Sequence, residues 1–170
     1  MMSGYLDFLR DRELTPPPIL VLGLGNTLLS DDGVGPALLD HLSDSAEQWD
    51  GQVEFVDGGT QGLALLGRLS GRRAIIIVDA VKTGAPPGTV HRMTLAELRN
   101  VNPGHVSSAH EGNAGELLAA AQLLDELPAR LFVVGVEPKK VATGLGLSAP
   151  VQRALSEASK EVNRLLTQLC

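Results

Sequence analysis

The most constraining feature of the sequence is a continuous apolar run, AIIIV at residues 74–78, in which most side chains are β-branched. Such a run suits a strand buried on both faces, because it has no polar side to turn toward water. Similar apolar runs occupy residues 19–24 and 131–136, and VEFV at residues 53–56 is a short stretch with three strand-favouring residues. Stretches with helical spacing of apolar residues separate these runs. The alternation predicts a parallel sheet with helices on both faces.

The helices should occupy the stretches between and after the strands, namely residues 33–43, 60–69, 95–100, 112–124 and about 148–168. Thr60 and Ser148 are each placed to cap the start of a helix. A Pro-Pro-Gly turn at residues 86–88 precedes residues 89–93, which we expect to form an antiparallel edge strand. The predicted fold is therefore a three-layer α/β sandwich with a mostly parallel sheet of about five strands.

The chain has 170 residues, a length that one domain with one core accommodates. Three prolines at residues 16–18 exclude a helix across the start of the first strand. We expect residues 1–18 to form an N-terminal extension and residues 19–170 to form the domain. The first residues lack the apolar core and cleavage site of a secretory signal, so this segment should remain on the chain.

Composition excludes several classes of function. Lys and Arg total 14 against 20 for Asp and Glu, and the net charge of -6 argues against a nucleic-acid partner. No apolar run approaches the ~20 residues that span a bilayer, so no membrane association is expected. Cys170 is the only cysteine, which excludes an intrachain disulfide and a Cys-Cys metal clamp. A reducing compartment, the cytoplasm, fits this composition.

Acidic residues follow two of the predicted strands, at the end of an open sheet where ligands bind. The loop GLGNTLLSDDGVG at residues 23–35 contains Asp31 and Asp32, and Asp79 ends the central apolar run. A dinucleotide fingerprint fails here because Leu28 stands where its third glycine belongs. Two acids would also repel a pyrophosphate, so a cation is the better ligand.

Histidines could complete a cation site. His110 lies in SSAHEGN at residues 107–113, just before a predicted helix, and two carboxylates with one imidazole match an open three-ligand metal site. Asp79 also has a structural interpretation, as the N-cap of the following segment. His91 falls inside a predicted strand and is more simply structural, whereas His105 shares the loop of His110 and is a competing ligand or a residue that supports one.

Six motifs occur in the order found in one known family: GLGNTLLSDDGVG, DGGTQGLALL, AIIIVDAV, SSAHEGNAGELLA, VVGVEP and GLGLSAPV. On these motifs the chain resembles the hydrogenase maturation endopeptidases, over about residues 19–166. The resemblance rests on several motifs in sequence rather than on any single one.

The resemblance implies an endopeptidase that removes the C-terminal extension of a nickel-iron hydrogenase large-subunit precursor after nickel insertion. The family reads this nickel through two acids and a histidine, which correspond here to Asp32, Asp79 and His110. Asp31, the first acid of its pair, is then expected to cap the helix. The implied metal is nickel carried by the precursor, for which other divalent ions could substitute in vitro. Whether it activates water as a Lewis acid or only positions the substrate stays open.

The family's DGGT loop lines the cleft near the substrate tail, which makes Gly58, Gly59 and Thr60 candidate substrate-binding residues. A tight turn is their simplest interpretation. Glu137 follows the strand at residues 131–136 and could contact substrate or face water. Cys170, at the end of the sequence, is a poor candidate nucleophile.

Two other functions fit the same sequence. One is a non-catalytic chaperone that binds nickel or the precursor, and the other is a related α/β peptidase with a different protein target. The sequence lacks the His-Glu-x-x-His and Gly-x-Ser-x-Gly motifs, so it is neither a thermolysin-type zinc peptidase nor a nucleophile-elbow serine hydrolase. Turnover would exclude the chaperone, and nickel dependence would exclude the other peptidase.

Overall fold

The computed structural model describes residues 16–101 and 114–170. Its sheet has five strands in the order β2-β1-β3-β5-β4. The strands are β1 (Ile19–Leu24), β2 (Val53–Gly59), β3 (Ala74–Ala80), β4 (Val90–Thr94) and β5 (Arg130–Val136). All neighbours pair in parallel except β4, which pairs antiparallel with β5 at the edge. The predicted fold class is confirmed, including the antiparallel edge strand.

Helices cover both faces of this sheet. They are α1 (Val34–Ala46), α2 (Leu66–Leu69), α3 (Leu95–Val101), α4 (Ala114–Leu123) and α5 (Ala149–Leu169). Helices α1 and α5 pack on one face, and α2, α3 and α4 pack on the other. The side chains of β3 alternate between the two cores, with Ile76 on the α1 side and Ile75 and Ile77 on the opposite side. The all-apolar run of β3 is therefore explained by its burial on both faces.

The segment after β2 differs from its prediction. The strand continues through Gly59, which pairs with Leu24 and accepts a hydrogen bond from the amide of Gly25 at 3.0 Å. A 3-10 turn at Gly62–Leu65 then leads into the short helix α2. Gln61, not Thr60, occupies the N-cap position of this turn, and no side chain caps it. The prediction for Thr60 was wrong because pairing with β1 holds the backbone extended for longer.

The described start of the chain is tied to the beginning of β3. The carbonyl of Pro17 accepts a hydrogen bond from the guanidinium of Arg72 at 2.6 Å, and that of Pro18 accepts one from the amide of Arg73 at 2.7 Å. Arg72 is buried and also pairs with Glu54. The first fifteen residues of the predicted extension lie outside the described residues. Within the described ranges, no helix is long and apolar enough to cross a membrane.

Helix α1 begins in direct contact with the backbone of β1 and β3 at Gly35. A Cβ atom at this position would lie 2.1 Å from the carbonyl oxygen of Leu24 and 2.7 Å from that of Val78. Neither backbone can move away without disturbing the sheet. The missing side chain thus allows the start of α1 to lie against the carboxyl ends of both strands.

We predict that Gly35→Ala destabilises the fold by about 3 kcal/mol or more, because the new methyl group would overlap main-chain atoms. Gly67→Ala is the matched control, since Gly67 lies in α2 and a Cβ there would meet no atom within 4 Å. That control should gain roughly 0.5–1 kcal/mol from the lower entropy of the unfolded chain. Urea denaturation measures both values, and equal stabilities for the two variants would contradict the close contact.

Candidate active site

The topology brings the loops after β1 and β3 together. Strand β2 lies on one side of β1 and β3 on the other, so the chain reverses its winding direction between β1 and β3. Such a switch point leaves a crevice at the carboxyl ends of the two strands. We call this end of the sheet the carboxyl edge of β1 and β3. Asp32 follows β1, in a 3-10 turn at Ser30–Gly33, and Asp79 lies near the end of β3.

Asp32 is only 1% exposed, yet its carboxylate is incompletely satisfied. Oδ2 accepts a hydrogen bond from the amide of Asn26 at 2.9 Å. Oδ1 is buried and has no hydrogen-bond partner among the described residues. The backbone of Gly25 (φ +126°) packs directly against this turn, since a Cβ at Gly25 would lie 1.8 Å from the carbonyl oxygen of Asp32. A buried oxygen without a partner costs free energy unless a ligand satisfies it.

Asp79 is buried beside Asp32. Its Oδ1 accepts one hydrogen bond, from the amide of Ala80 at 2.8 Å. Burial, together with the nearby Asp32 carboxylate, raises the pKa of Asp79 to about 8 despite that hydrogen bond. No helix begins in residues 81–89, so Asp79 is not a helix N-cap. A cation bound beside the Asp79 carboxyl group would favour its ionised form and so displace its proton.

The two neighbouring carboxylates are groups of the kind that bind divalent cations. Carboxylate oxygens suit divalent ions, and the free Oδ1 of Asp32 has no competing protein donor among the described residues. No group of three His, Cys, Asp or Glu side chains in residues 16–101 and 114–170 could hold a metal ion. A third protein ligand for a cation at these carboxylates would have to come from outside these ranges. His110 and the competing His105 lie outside the described residues.

Asp31 points away from its neighbour and does not cap α1. Its carboxylate accepts four hydrogen bonds, from the amides of Lys139 and Lys140 at 2.9 Å each, the amide of Ser148 at 2.6 Å and the Ser148 hydroxyl at 2.8 Å. Burial opposes its ionisation, but these hydrogen bonds outweigh that effect and lower the pKa of Asp31. The capping prediction was wrong because the segment after β5 offers more donors than the start of α1.

Ser148 does occupy the N-cap position of α5, as predicted, but its side chain makes no capping hydrogen bond. Its hydroxyl is donated to Asp31 instead. Asp31 thereby ties the turn that carries Asp32 to both ends of residues 139–148. Neither this connection nor the hydrogen bond from Asn26 to Asp32 was predicted. The apolar glycine-rich loop at residues 144–147, followed by a polar N-cap residue, was the only signal in the sequence.

Glu137 neither faces water nor lies free for substrate. It is 4% exposed, and its carboxylate accepts hydrogen bonds from the amides of Thr83 and Gly84 and from the Thr83 hydroxyl. His91 lies 3.4 Å from the same carboxylate. Burial acts to raise the pKa of Glu137, but the hydrogen bonds from these partners outweigh it and lower the pKa. Glu137 and His91 thus shape the loop that follows β3, in keeping with a structural role for His91.

The DGGT segment lies beside the glycine-rich end of β1. Gly58 is the extra residue of a β-bulge opposite Gly23 and Leu24, and Gly59 has φ +46°. The carboxylate of Asp57 accepts a hydrogen bond from the amide of Gly59 at 2.9 Å. Thr60 is exposed at this end of the sheet. The segment therefore borders the loop of Asp32, and its predicted contact with substrate stays a prediction.

Known proteins are similar to this chain in sequence and in fold. Residues 37–165 match the hydrogenase maturation protease family. The hydrogenase expression/formation protein HupD of Thiocapsa roseopersicina is 36% identical over 124 residues, covering 72% of this chain and about half, 55%, of that protein. The hydrogenase 2 maturation protease of Escherichia coli (strain K12) is 34% identical over 85% of this chain and 87% of that protein. The solved hydrogenase maturating endopeptidase HybD from E. coli has a TM-score of 0.75 at 32% identity, covering 88% of this chain and 92% of that one.

The fold and site define an α/β protein with two buried carboxylates at the carboxyl edge of neighbouring parallel strands. With the matches above, the chain belongs to the hydrogenase maturation protease family, whose members are endopeptidases. The resemblance noted from the six sequence motifs is confirmed.

We predict that Asp31→Asn lowers the free energy of unfolding at pH 7 by about 2 kcal/mol or more, because an NH2 group would replace one acceptor oxygen and would face hydrogen-bond donors. The lowered pKa of Asp31 contributes stability above the unfolded pKa near 3.9, and this contribution is lost as the pH falls through the folded pKa. The difference from wild type should therefore shrink on acidification. Urea denaturation at pH 7 and pH 3 measures it, with the exposed Asp40→Asn as control.

Asp79→Asn, unlike Asp31→Asn, should raise the free energy of unfolding of the metal-free protein relative to wild type as the pH rises. Because the folded pKa is about 8, wild-type stability should fall as the pH rises from about 4 toward 8, by up to about 1.4 kcal/mol per pH unit. The neutral amide removes this dependence, so the variant should gain on wild type across that range. Thermal unfolding in chelator at pH 5 and pH 8 tests this, and parallel profiles would contradict it.

Proposed function

We propose that this protein is an endopeptidase that removes the C-terminal extension of a nickel-iron hydrogenase large-subunit precursor after nickel has been inserted. It recognises the bound nickel through Asp32, Asp79 and His110. The observation that carries the proposal is the buried Oδ1 of Asp32, which lacks a partner in the described part of the chain and lies beside a second buried carboxylate. A cation delivered by the substrate would satisfy both groups.

Nickel in a precursor suits this incomplete site. Carboxylate and imidazole are ligands that nickel accepts, and a site with few protein ligands leaves positions open for those of the substrate. Binding would displace the proton that Asp79 holds at neutral pH in the free protein. Other divalent ions of similar preference could substitute in vitro. Affinity for the precursor is thus coupled to the presence of its metal.

The placement of helix α4 supports His110 as the third ligand. Helix α4 begins at Ala114, shortly after His110 in the chain, and packs against the Gly62–Leu65 turn that follows β2. Because α4 leads into the parallel strand β5, its first residue lies toward the carboxyl edge of the sheet. The first described residue of α4, which follows His110 by four positions in the sequence, therefore lies toward the side of the sheet where Asp32 and Asp79 lie.

Recognition is the minimum role of the metal in this proposal. Asp32 and Asp79 would hold the nickel of the precursor and thereby position the adjacent peptide bond. A second role, in which the metal polarises the scissile carbonyl and activates water, uses the same three residues. The precursor is the expected partner. The cytoplasm is the expected compartment, in line with a sequence whose single cysteine is Cys170.

The decisive experiment mixes purified protein with nickel-loaded and nickel-free large-subunit precursor and follows the intact mass of the precursor. We expect a C-terminal peptide to be lost only from the nickel-loaded form, with many precursors cleaved per enzyme. Unchanged mass with complex formation would support the chaperone instead. Cleavage of another protein without nickel would support the related peptidase.

Site variants give a second test. Asp32→Asn, Asp79→Asn and His110→Gln should each slow cleavage more than about 100-fold, because loss of a residue that only supports a metal ligand already costs about 10–100-fold. His41→Gln is the matched histidine control, since His41 is exposed on α1. Circular dichroism should show each variant folded. An unfolded Asp79→Asn protein would instead indicate a structural role.

A further inference from the structure

Two exposed leucines lie next to the candidate site on paired segments. Leu28 is 60% exposed and Leu145 is 82% exposed. Leu29 forms a parallel bridge with Gly144, so each leucine directly neighbours a bridge residue. Leu28 also belongs to the loop that carries Asp32. We call Leu28 and Leu145 the leucine pair.

The backbone of the leucine pair is held on both sides. The carbonyl of Leu28 accepts a hydrogen bond from the amide of Gly144 at 2.9 Å, and the carbonyl of Gly144 accepts one from the amide of Ser30 at 2.9 Å. The Ser30 hydroxyl is donated to the carbonyl of Ala142 at 3.0 Å. Asp31 anchors the same segment at residues 139, 140 and 148. The leucines therefore project from fixed backbone, which reduces the entropy cost of binding.

The surroundings of the leucine pair indicate the chemistry of a partner. Lys139 and Lys140 are exposed in the segment that carries Leu145, although the whole chain is acidic. Aliphatic side chains with lysines nearby suit an apolar segment flanked by a carboxylate. Because Leu28 belongs to the loop of Asp32, such a segment would lie near the residues that bind the metal in the proposed function.

We propose that the leucine pair is a docking surface for an apolar segment of the precursor protein, flanked by an acidic residue, near its cleavage junction. This inference rests on the proposed function, and it names the surface that holds the substrate while Asp32 and Asp79 bind its metal. The leucines contact no reacting group. They would contribute to the affinity for the precursor and not to the chemical step.

Steady-state cleavage of nickel-loaded precursor tests the leucine pair. The double variant Leu28→Ser/Leu145→Ser should raise KM about tenfold or more, with kcat within about twofold of wild type. Leu123→Ser is the matched control, because Leu123 is 87% exposed at the last residue of α4. Since α4 leads into β5, this residue lies toward the amino-terminal ends of the parallel strands, away from Asp32. The control should match wild type. All three leucines are exposed, so unfolding transitions should be unchanged.

Lys139→Gln/Lys140→Gln should also raise KM and weaken the dependence of KM on salt, as expected when surface lysines attract an acidic residue of the partner.

An unchanged KM in the leucine double variant would overturn the docking surface, while cleavage by wild type would still uphold the proposed function. If wild type cleaves no precursor, direct binding of precursor decides, and equal affinity of wild type and double variant overturns the inference. A wild-type dimer that the double variant converts to monomer in sedimentation velocity would assign the surface to a second copy instead.

Discussion

The candidate site depends on the hydrogen bonds that the buried carboxylate of Asp31 accepts from residues 139–148. A buried charge is tolerated only when hydrogen bonds replace its lost water, and Asp31 receives four of them. All four come from residues 139–148, far along the chain. The single Asp31 carboxylate offsets the entropy cost of bringing these distant segments together, because it orders two loops at once. The positions of Asp32, the start of α5 and the leucine pair all follow from this connection.

Asp31 and Asp79 show how local donors decide the state of a buried acid. Both are almost fully buried, but the pKa of Asp31 is lowered and that of Asp79 is raised to about 8. Asp31 has four donors, whereas Asp79 has one and also faces the charge of Asp32. Asp31 is thus fully hydrogen-bonded, whereas Oδ1 of the next residue, Asp32, has no partner among the described residues. The first holds the turn rigid, and the second is available to a ligand.

Much of the fold could be predicted because it follows from local pattern. The run at residues 74–78 requires a doubly buried strand, and β3 is one. The carboxyl edge could also be predicted, since parallel strands deliver their following loops to one end. The roles of Asp31, Ser148 and Glu137 could not, because each depends on a donor or acceptor from a distant segment. Thr60 was misassigned for a related reason: pairing with β1 overrides a local capping preference. The likeness of Asp31 and Asp32 in sequence conceals their opposite environments.

The unsatisfied oxygen of Asp32 would account physically for the proposed selectivity toward a nickel-loaded precursor. In the free protein, burial of this oxygen and protonation of Asp79 both cost free energy. Under the proposed function, a precursor without metal would not offset this cost, and its own polar groups would be buried against two acids. A precursor with a divalent ion would satisfy the free oxygen and would convert Asp79 to its charged form. The groups that are unfavourable in the free protein would thus favour the metal-loaded precursor, and this discrimination would require no contact beyond those that bind the metal.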